Sequence, residues 1–260
     1  MRIASNLVSV QNILRTYIEN RKHEKNRINT IQEITGVDVS TIKKYISEIK
    51  NNSDFIETLR AEYRKNCIYK PSKRDFMYSE SSGSMFFPYV TLYVLTRILK
   101  PEIIVETGGT PGKSSAFILQ AMAKNKNGKL YTIDLPPSKS LPPNKLDVNK
   151  THEYLPEGKD SGWLVPDNLK DRYNLIKGPS SVHLKPLLDS LEKIDIFIHD
   201  SDHSYENMIW EFRTAWPYIK KSGLLLSDDI KANNAFLDFC GEVEAKLIVK
   251  IANYGVIVKK

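Results

Sequence analysis

At 260 residues and 41% hydrophobic content, the chain can bury a full core, either as one large domain or as a main domain with an appendage. It has no apolar run of about 18 residues, so no membrane-spanning helix is expected. Its two cysteines, Cys67 and Cys240, are too few for a disulfide framework or a zinc ligand set of their own and fit a reducing cytoplasm. The net charge of +7 lies mostly at the front, where residues 1–75 hold 15 Lys plus Arg against 9 Asp plus Glu.

The N-terminus lacks the apolar block and small-residue cleavage site of a signal peptide, so a cytoplasmic protein is expected. Residues 1–70 contain no proline and a single glycine, Gly36, and read as helical. Leu7, Val10, Ile13, Leu14, Tyr17 and Ile18 recur at helical spacing and predict a first amphipathic helix. Ile31 and Ile34 before Gly36, then Val37, Ile42, Tyr45, Ile46 and Ile49 after it, predict two short helices about a glycine turn. Ser40, Thr41, Lys43 and Lys44 face outward on the second. Some DNA-reading proteins share this outline, but it more often serves packing or dimerisation, so nucleic acid and a second copy of the chain are both candidate partners. The polar stretch 70–84 reads as a linker and divides a helical segment, 1–75, from a main domain, 76–260.

In the main domain, Tyr89, Leu92, Leu95, Ile98 and Leu99 predict a helix packed on a sheet and stopped by Pro101. The stretch PEIIVETGGTPGKSS follows. Its strand, Ile103 to Val105, ends at Glu106, and Gly108, Gly109 and Gly112 punctuate the turn before a helix that begins near Ser114. A turn of this kind brings backbone N–H groups and a helix N-terminus close to a ligand. The spacing is not the G-x-G-x-x-G of dinucleotide folds, and Thr107 stands where a P-loop needs glycine. Leu130 to Leu135 predict a strand ending in Asp134, which either accepts both hydroxyls of a ribose or starts the turn at Pro136 and Pro137.

The proline-rich stretch 136–170 reads as a long functional loop, with Trp163 as core anchor or pocket wall. A strand over Tyr173–Ile176 leads to Gly178–Ser181, where Ser180 and Ser181 are placed to meet an adenine edge. A short helix over Leu184–Leu191 follows.

The stretch from Ile194 to Ile230 predicts a buried strand (Ile194–Ile198), a loop with two acids (His199–His203), a helix, a turn at Gly223, and a strand (Leu224–Leu226) ending in Asp228 and Asp229. A helix over Asn233–Phe239 comes next. Ligands of open α/β sheets bind beyond the carboxyl ends of parallel strands, so Asp200, Asp228 and Asp229 are candidate ligands of a hard divalent cation such as magnesium. A single Asp there would be an ordinary loop acid or helix cap. Three acids beside His203, with no Lys or Arg in the loop, favour a site. The runs Lys246–Lys250 and Gly255–Val258 predict a closing hairpin that puts one antiparallel strand into an otherwise parallel α/β sheet.

Taken in order, E-T-G-G-T-P-G-K-S, I-D-L, G-P-S-S, H-D-S-D-H-S-Y and S-D-D make the region from about Phe86 to Lys260 resemble the class I S-adenosylmethionine-dependent methyltransferases. Within that class the resemblance is to the metal-dependent O-methyltransferases of the catechol, macrocin and cephalosporin hydroxylase-related group. It implies a Rossmann-like methyltransferase sheet. It also implies S-adenosylmethionine held by Glu106, Gly108, Gly109, Gly112, Ser114, Asp134, Ser180, Ser181, Asp200 and Asp202, and Mg2+ on Asp200, Asp228 and Asp229. His203 falls where the catechol enzymes have a lysine and the sugar enzymes a histidine, which implies a catalytic base. The implied reaction is O-methylation of a small-molecule or sugar-like hydroxyl beside a second chelating oxygen.

Three features depart from the family: Asp229 stands in place of an asparagine, Pro111 lies inside the glycine turn, and the N-terminal helices match nothing assignable. An alternative reading is a nucleic-acid-associated methyltransferase, or a cofactor-sensing protein, that uses the basic N-terminal helices.

Overall fold

The computed structural model describes residues 24–66, 89–136, 140–141, 155–251 and 253–260. The expected first helix, the linker over 70–84, the boundary at 75/76, Cys67 and the middle of the 136–170 loop lie outside them.

Residues 24–35 are helical (α1), and Gly36, at φ +69°, turns the chain toward α2 (Val39–Lys50). Asp38 caps α2 by accepting from Thr41 N at 2.9 Å, and Ile42, Ile46 and Ile49 come round to one buried face. Then follow α3 (Ser53–Asn66), α4 (Tyr89–Leu99), β1 (Ile103–Thr107), α5 (Lys113–Asn125) and β2 (Lys129–Asp134). The pair β3 (Ser140–Leu141) and β4 (Leu155–Pro156) stands apart from the main sheet. The rest of the chain is β5 (Tyr173–Lys177), α6 (Ser180–Leu191), β6 (Ile194–His199), α7 (Tyr205–Ala215), β7 (Ile219–Ser227), α8 (Ala235–Glu242), β8 (Ala245–Ile251) and β9 (Tyr254–Lys259).

Seven strands form one sheet in the order β5-β2-β1-β6-β7-β9-β8. Strands β5, β2, β1, β6 and β7 are mutually parallel, and β9 runs against both β7 and β8, which makes it the single reversed strand expected of the C-terminal hairpin. The order reverses direction beside β1, where β2 and β5 lie to one side and β6 and β7 to the other, so the carboxyl ends of β1 and β6 border a crevice. Thr107 is level with His199, and His199 with Ser227, so the residues after β1, β6 and β7 emerge together.

Alternation along each strand builds two cores. Ile104, Leu130, Ile196, Ile198, Leu224 and Leu226 face α4, α5 and the N-terminal helices, while Val105, Ile133, Phe197 and Leu225 face α6, α7 and α8. Helices α1 to α3 belong to the first core. Phe55 meets Phe117 edge-on at 5.1 Å, Tyr63 meets Trp163 edge-on at 5.4 Å, and Glu48 accepts from Arg97 Nε at 2.7 Å and from Tyr93. Trp163 is therefore packed beneath the N-terminal helices.

Two boundaries differ from the sequence reading. Gly223 lies inside β7, which starts at Ile219. Ile194 pairs with Ile219 and Ile196 with Leu224, so residues 220–223 bulge from the ladder, with Ser222 at φ +62°. Helix α6 starts at Ser180, four positions before Leu184, where Pro179 sets an extended entry. No helix among the described residues is long and apolar enough to cross a membrane.

Candidate active site

The glycine turn after β1 is fastened from behind by Glu106. This carboxylate is fully buried and accepts from Ser114 Oγ at 2.6 Å, Ser115 Oγ at 2.6 Å and Thr132 Oγ1 at 2.9 Å. Burial pushes its pKa up against the pull of those three hydroxyls. Glu106 and Ser114 are thus turned toward each other, and they lock the end of β1 onto the first turn of α5.

Gly108, at φ +78°, lets the backbone touch the loop after β6. A Cβ there would overlap the Asp200 carbonyl oxygen and stand 2.5 Å from its carbon. Gly109 lies over Thr132, and Gly112 leads directly into α5. Asp134, at the end of β2, accepts from Thr110 Oγ1 at 2.6 Å through Oδ2, which leaves Oδ1 without a partner among the described residues. Beside it, Leu135 is 58% exposed. Ser180 and Ser181 stand at the first turn of α6, level with the end of β5. This cradle of bare backbone, a helix N-terminus and a carboxylate at the end of β2 fits a nucleoside-bearing cofactor with an anionic tail.

The acids meet next to it. Asp200 follows β6, with its N–H on Thr107 O at 2.8 Å, and Asp228 follows β7, with its N–H on His199 O at 2.9 Å. Donor atoms of Asp200, His203 and Asp228 all lie within 4.8 Å of one another. Burial and the carboxylates of Asp228 and Glu106 hold Asp200 well above its ordinary range, and burial and Asp229 push Asp228 up to about 6. Crowded carboxylates of this kind repel one another until a cation is bound, so the donor set fits a divalent ion.

Asp229 adopts φ +48° and accepts from Asn253 Nδ2 at Oδ1, while its Oδ2 lies 3.5 Å from His203 Nδ1. The three expected acids are thus gathered in one place, but His203 joins the tight group and Asp229 stands behind it. Burial and the nearby His199 lower the His203 pKa, and its position suits either a base facing a hydroxyl or a nitrogen ligand. Asp202 is exposed and accepts from Ser204 N and Oγ, each at 3.0 Å, so its carboxylate shapes the turn into α7.

The structure adds groups that the sequence reading did not single out. Glu211 on α7 is fully buried; its Oε2 takes Thr107 Oγ1 at 2.5 Å and faces His199 Nδ1 at 2.7 Å, while its Oε1 takes Ser201 Oγ at 2.8 Å. Burial alone would raise its pKa, but the bonds from His199, Ser180 and Thr107 outweigh this and leave it lowered. Its spacing was a usable signal: Glu211 is three positions after Met208 and four before Ala215, on the buried face of α7. Tyr89 and Tyr254 flank the acids from α4 and β9, and burial and the Asp200 and Asp228 charges raise both phenols. Buried Lys113 places its Nζ 4.1 Å from the centre of the Tyr89 ring. No local pattern marks these three as neighbours of one another or of the acids.

A mostly parallel seven-stranded sheet with one reversed strand, a glycine turn after β1, an acid closing β2 and acids closing β6 and β7 make up the Rossmann-like fold of the class I methyltransferases. In agreement, the family model described as a methyltransferase domain matches residues 105–230, from β1 to the acids after β7. Residues 105–230 are accordingly a methyltransferase domain. TomG from Streptomyces achromogenes, an O-methyltransferase involved in tomaymycin synthesis and solved with S-adenosylmethionine, superposes with a TM-score of 0.51 at 14% identity, covering 83% of this chain and 95% of that one. A Klebsiella pneumoniae protein provisionally described as an O-methyltransferase gives 0.50 at 16% identity, covering 89% and 100%. At such identities the likeness is one of fold. No curated protein matches the chain.

Proposed function

We propose that the chain methylates a hydroxyl oxygen of a small or sugar-like molecule that carries a second oxygen next to it, using S-adenosylmethionine and a divalent cation. The observation that carries this reading is the meeting of Asp200 and Asp228, from adjacent strands, with His203 beside the cofactor cradle. When bound, the cofactor supplies a methyl group on a sulfonium sulfur, and the cation lowers the pKa of a hydroxyl that it chelates.

The chain's own residues do the positioning. Asp134 offers its Oδ1 to the ribose hydroxyls, and the N–H groups around Gly109 and Gly112 face the anionic end. Asp200 and Asp228 hold the cation with residues level across β6 and β7, so donor and acceptor are aligned by a rigid sheet edge. Gly108 keeps the Asp200 backbone against the cofactor turn, which fixes the distance between the two halves of the site. Buried Tyr254 and half-buried Tyr89 stand close to the acids and limit water at the reacting oxygen.

The test combines calorimetric binding of S-adenosylmethionine with methyl transfer to a panel of vicinal diols and catechols, with and without EDTA. Binding of the cofactor and a metal-dependent mass gain of one methylene group on a diol support the reading. Methylation that is indifferent to EDTA, or transfer only to nitrogen or nucleic acid, refutes it.

A further inference from the structure

We infer that His203 is a metal ligand of this centre, completing a set with Asp200 and Asp228, and that Asp229 holds the imidazole in place from behind. The inference rests on the divalent-cation reading above and assigns roles within it. It makes the centre a mixed nitrogen–oxygen site, suited to a first-row transition ion such as Mn2+ over Mg2+.

The two ring nitrogens of His203 have different surroundings. Nδ1 faces Asp229 Oδ2 at 3.5 Å. Nε2 points the other way, 3.8 Å from Asp200 Oδ1, and is buried with no hydrogen-bond partner among the described residues. A carboxylate behind one nitrogen keeps the proton there and leaves the lone pair on the other, which is how metal-bound histidines are ordinarily oriented. The lone pair is then directed at the acids.

Asp229 is itself held away from the cluster. Its backbone sits at φ +48°, and its Oδ1 accepts from Asn253 Nδ2. Asn253 is fixed in turn, accepting from Ile230 N at 2.9 Å through its carbonyl and from Lys231 N at 3.2 Å through Oδ1. The His203 backbone is held as well. The His203 carbonyl accepts from Asn233 Nδ2 at 2.9 Å, and the ring meets His199 edge-on at 5.4 Å. A ring with a carboxylate behind Nδ1, and with Nε2 turned to Asp200 within the group of Asp200 and Asp228, is built as a ligand.

The ligand chemistry follows. Mg2+ takes oxygen donors and keeps much of its water, whereas imidazole suits transition ions, so replacing one carboxylate by a nitrogen shifts preference toward the latter.

Pulsed electron paramagnetic resonance of the full-length protein loaded with Mn2+ tests the ligand directly, alongside calorimetric titrations of Mn2+ and Mg2+ into wild type, His203→Ala and Asp229→Asn. The expected result is nitrogen coupling to Mn2+ in wild type that disappears in His203→Ala. Mn2+ affinity falls about tenfold or more in both variants, and the preference for Mn2+ over Mg2+ shrinks in His203→Ala. Wild-type Mn2+ without nitrogen coupling overturns the inference. So does a His203→Ala protein that keeps its Mn2+ affinity but loses methyl transfer, because that result makes His203 the base. Metal-free titration with S-adenosylmethionine monitors the fold of each variant. The methyltransferase assay fails or succeeds separately from the nitrogen signal.

Discussion

Gly108 is the position where the two halves of the site press on each other, and alanine there tests the packing argument directly. Two penalties act together. Alanine at a left-handed φ of +78° costs about 1–2 kcal/mol. Its Cβ would also stand 2.5 Å from the Asp200 carbonyl carbon and 2.9 Å from Ser201 N, and displacing packed backbone adds about 1–3 kcal/mol. Reduced freedom of the unfolded chain returns about 0.4–1 kcal/mol, so Gly108→Ala is expected to lose about 2–4 kcal/mol.

Gly36→Ala is the control. Gly36 has a similar φ, +69°, with nothing within 4 Å of a Cβ, so only the backbone strain remains and the loss is about 1 kcal/mol. Urea unfolding at equal m-values measures both, and cofactor calorimetry follows the site. Gly108→Ala should also weaken S-adenosylmethionine binding, whereas Gly36→Ala should not. Equal stability losses in the two variants, within about 0.5 kcal/mol, would falsify the claim that the Asp200 backbone is wedged against the cofactor turn.

Other outcomes follow from the same structure. Glu211→Ala leaves His199, Thr107 and Ser201 without their shared acceptor in a buried place, and a loss of about 3 kcal/mol or more is expected from denaturant unfolding; a loss under about 1 kcal/mol refutes the network. Burial acts to raise the Glu48 pKa, but Arg97 and Tyr93 bring it below the ordinary value. Its contribution to stability is therefore complete above the unfolded-state pKa, near about 4.3, and fades as pH falls through the lower folded value. Glu48→Gln should lose about 1–2 kcal/mol at neutral pH and show a flatter acid limb, which stability measured from pH 7 to 3 checks. Deleting residues 1–66 uncovers Phe117 and the face of α4 and α5, so the shortened chain should aggregate or unfold without cooperativity by circular dichroism. A soluble, cooperatively melting product would show that α1 to α3 are dispensable.

Much of the fold was legible because it rests on local rules. Apolar strands that stop at Glu106, Asp134, Asp200 and Asp228, all but the second followed by a helix, point to a parallel sheet with acids at one end, since a strand's side-chain period and the handedness of crossovers leave few alternatives. The reversed strand was equally local, as two β-rich runs meet at a tight turn. The gathering of Asp200, Asp228 and Asp229 could be anticipated from their place after neighbouring strands.

Tertiary structure alone decided which donors face inward. Asp228 and Asp229 are adjacent in sequence, but the positive φ of Asp229 and the amide of Asn253, on the far hairpin, turn the second acid behind His203. The Thr107–His199–Glu211 contacts join the ends of two strands to a helix, so their meeting depends on how α7 seats on the sheet. The partner of the N-terminal helices, which precede the polar stretch 70–84, was likewise not legible, because periodicity identifies an apolar face without naming what covers it. That Phe55 and Tyr63 complete the core over Phe117 and Trp163 is a fact of packing, fixed only when the helices and the sheet come together.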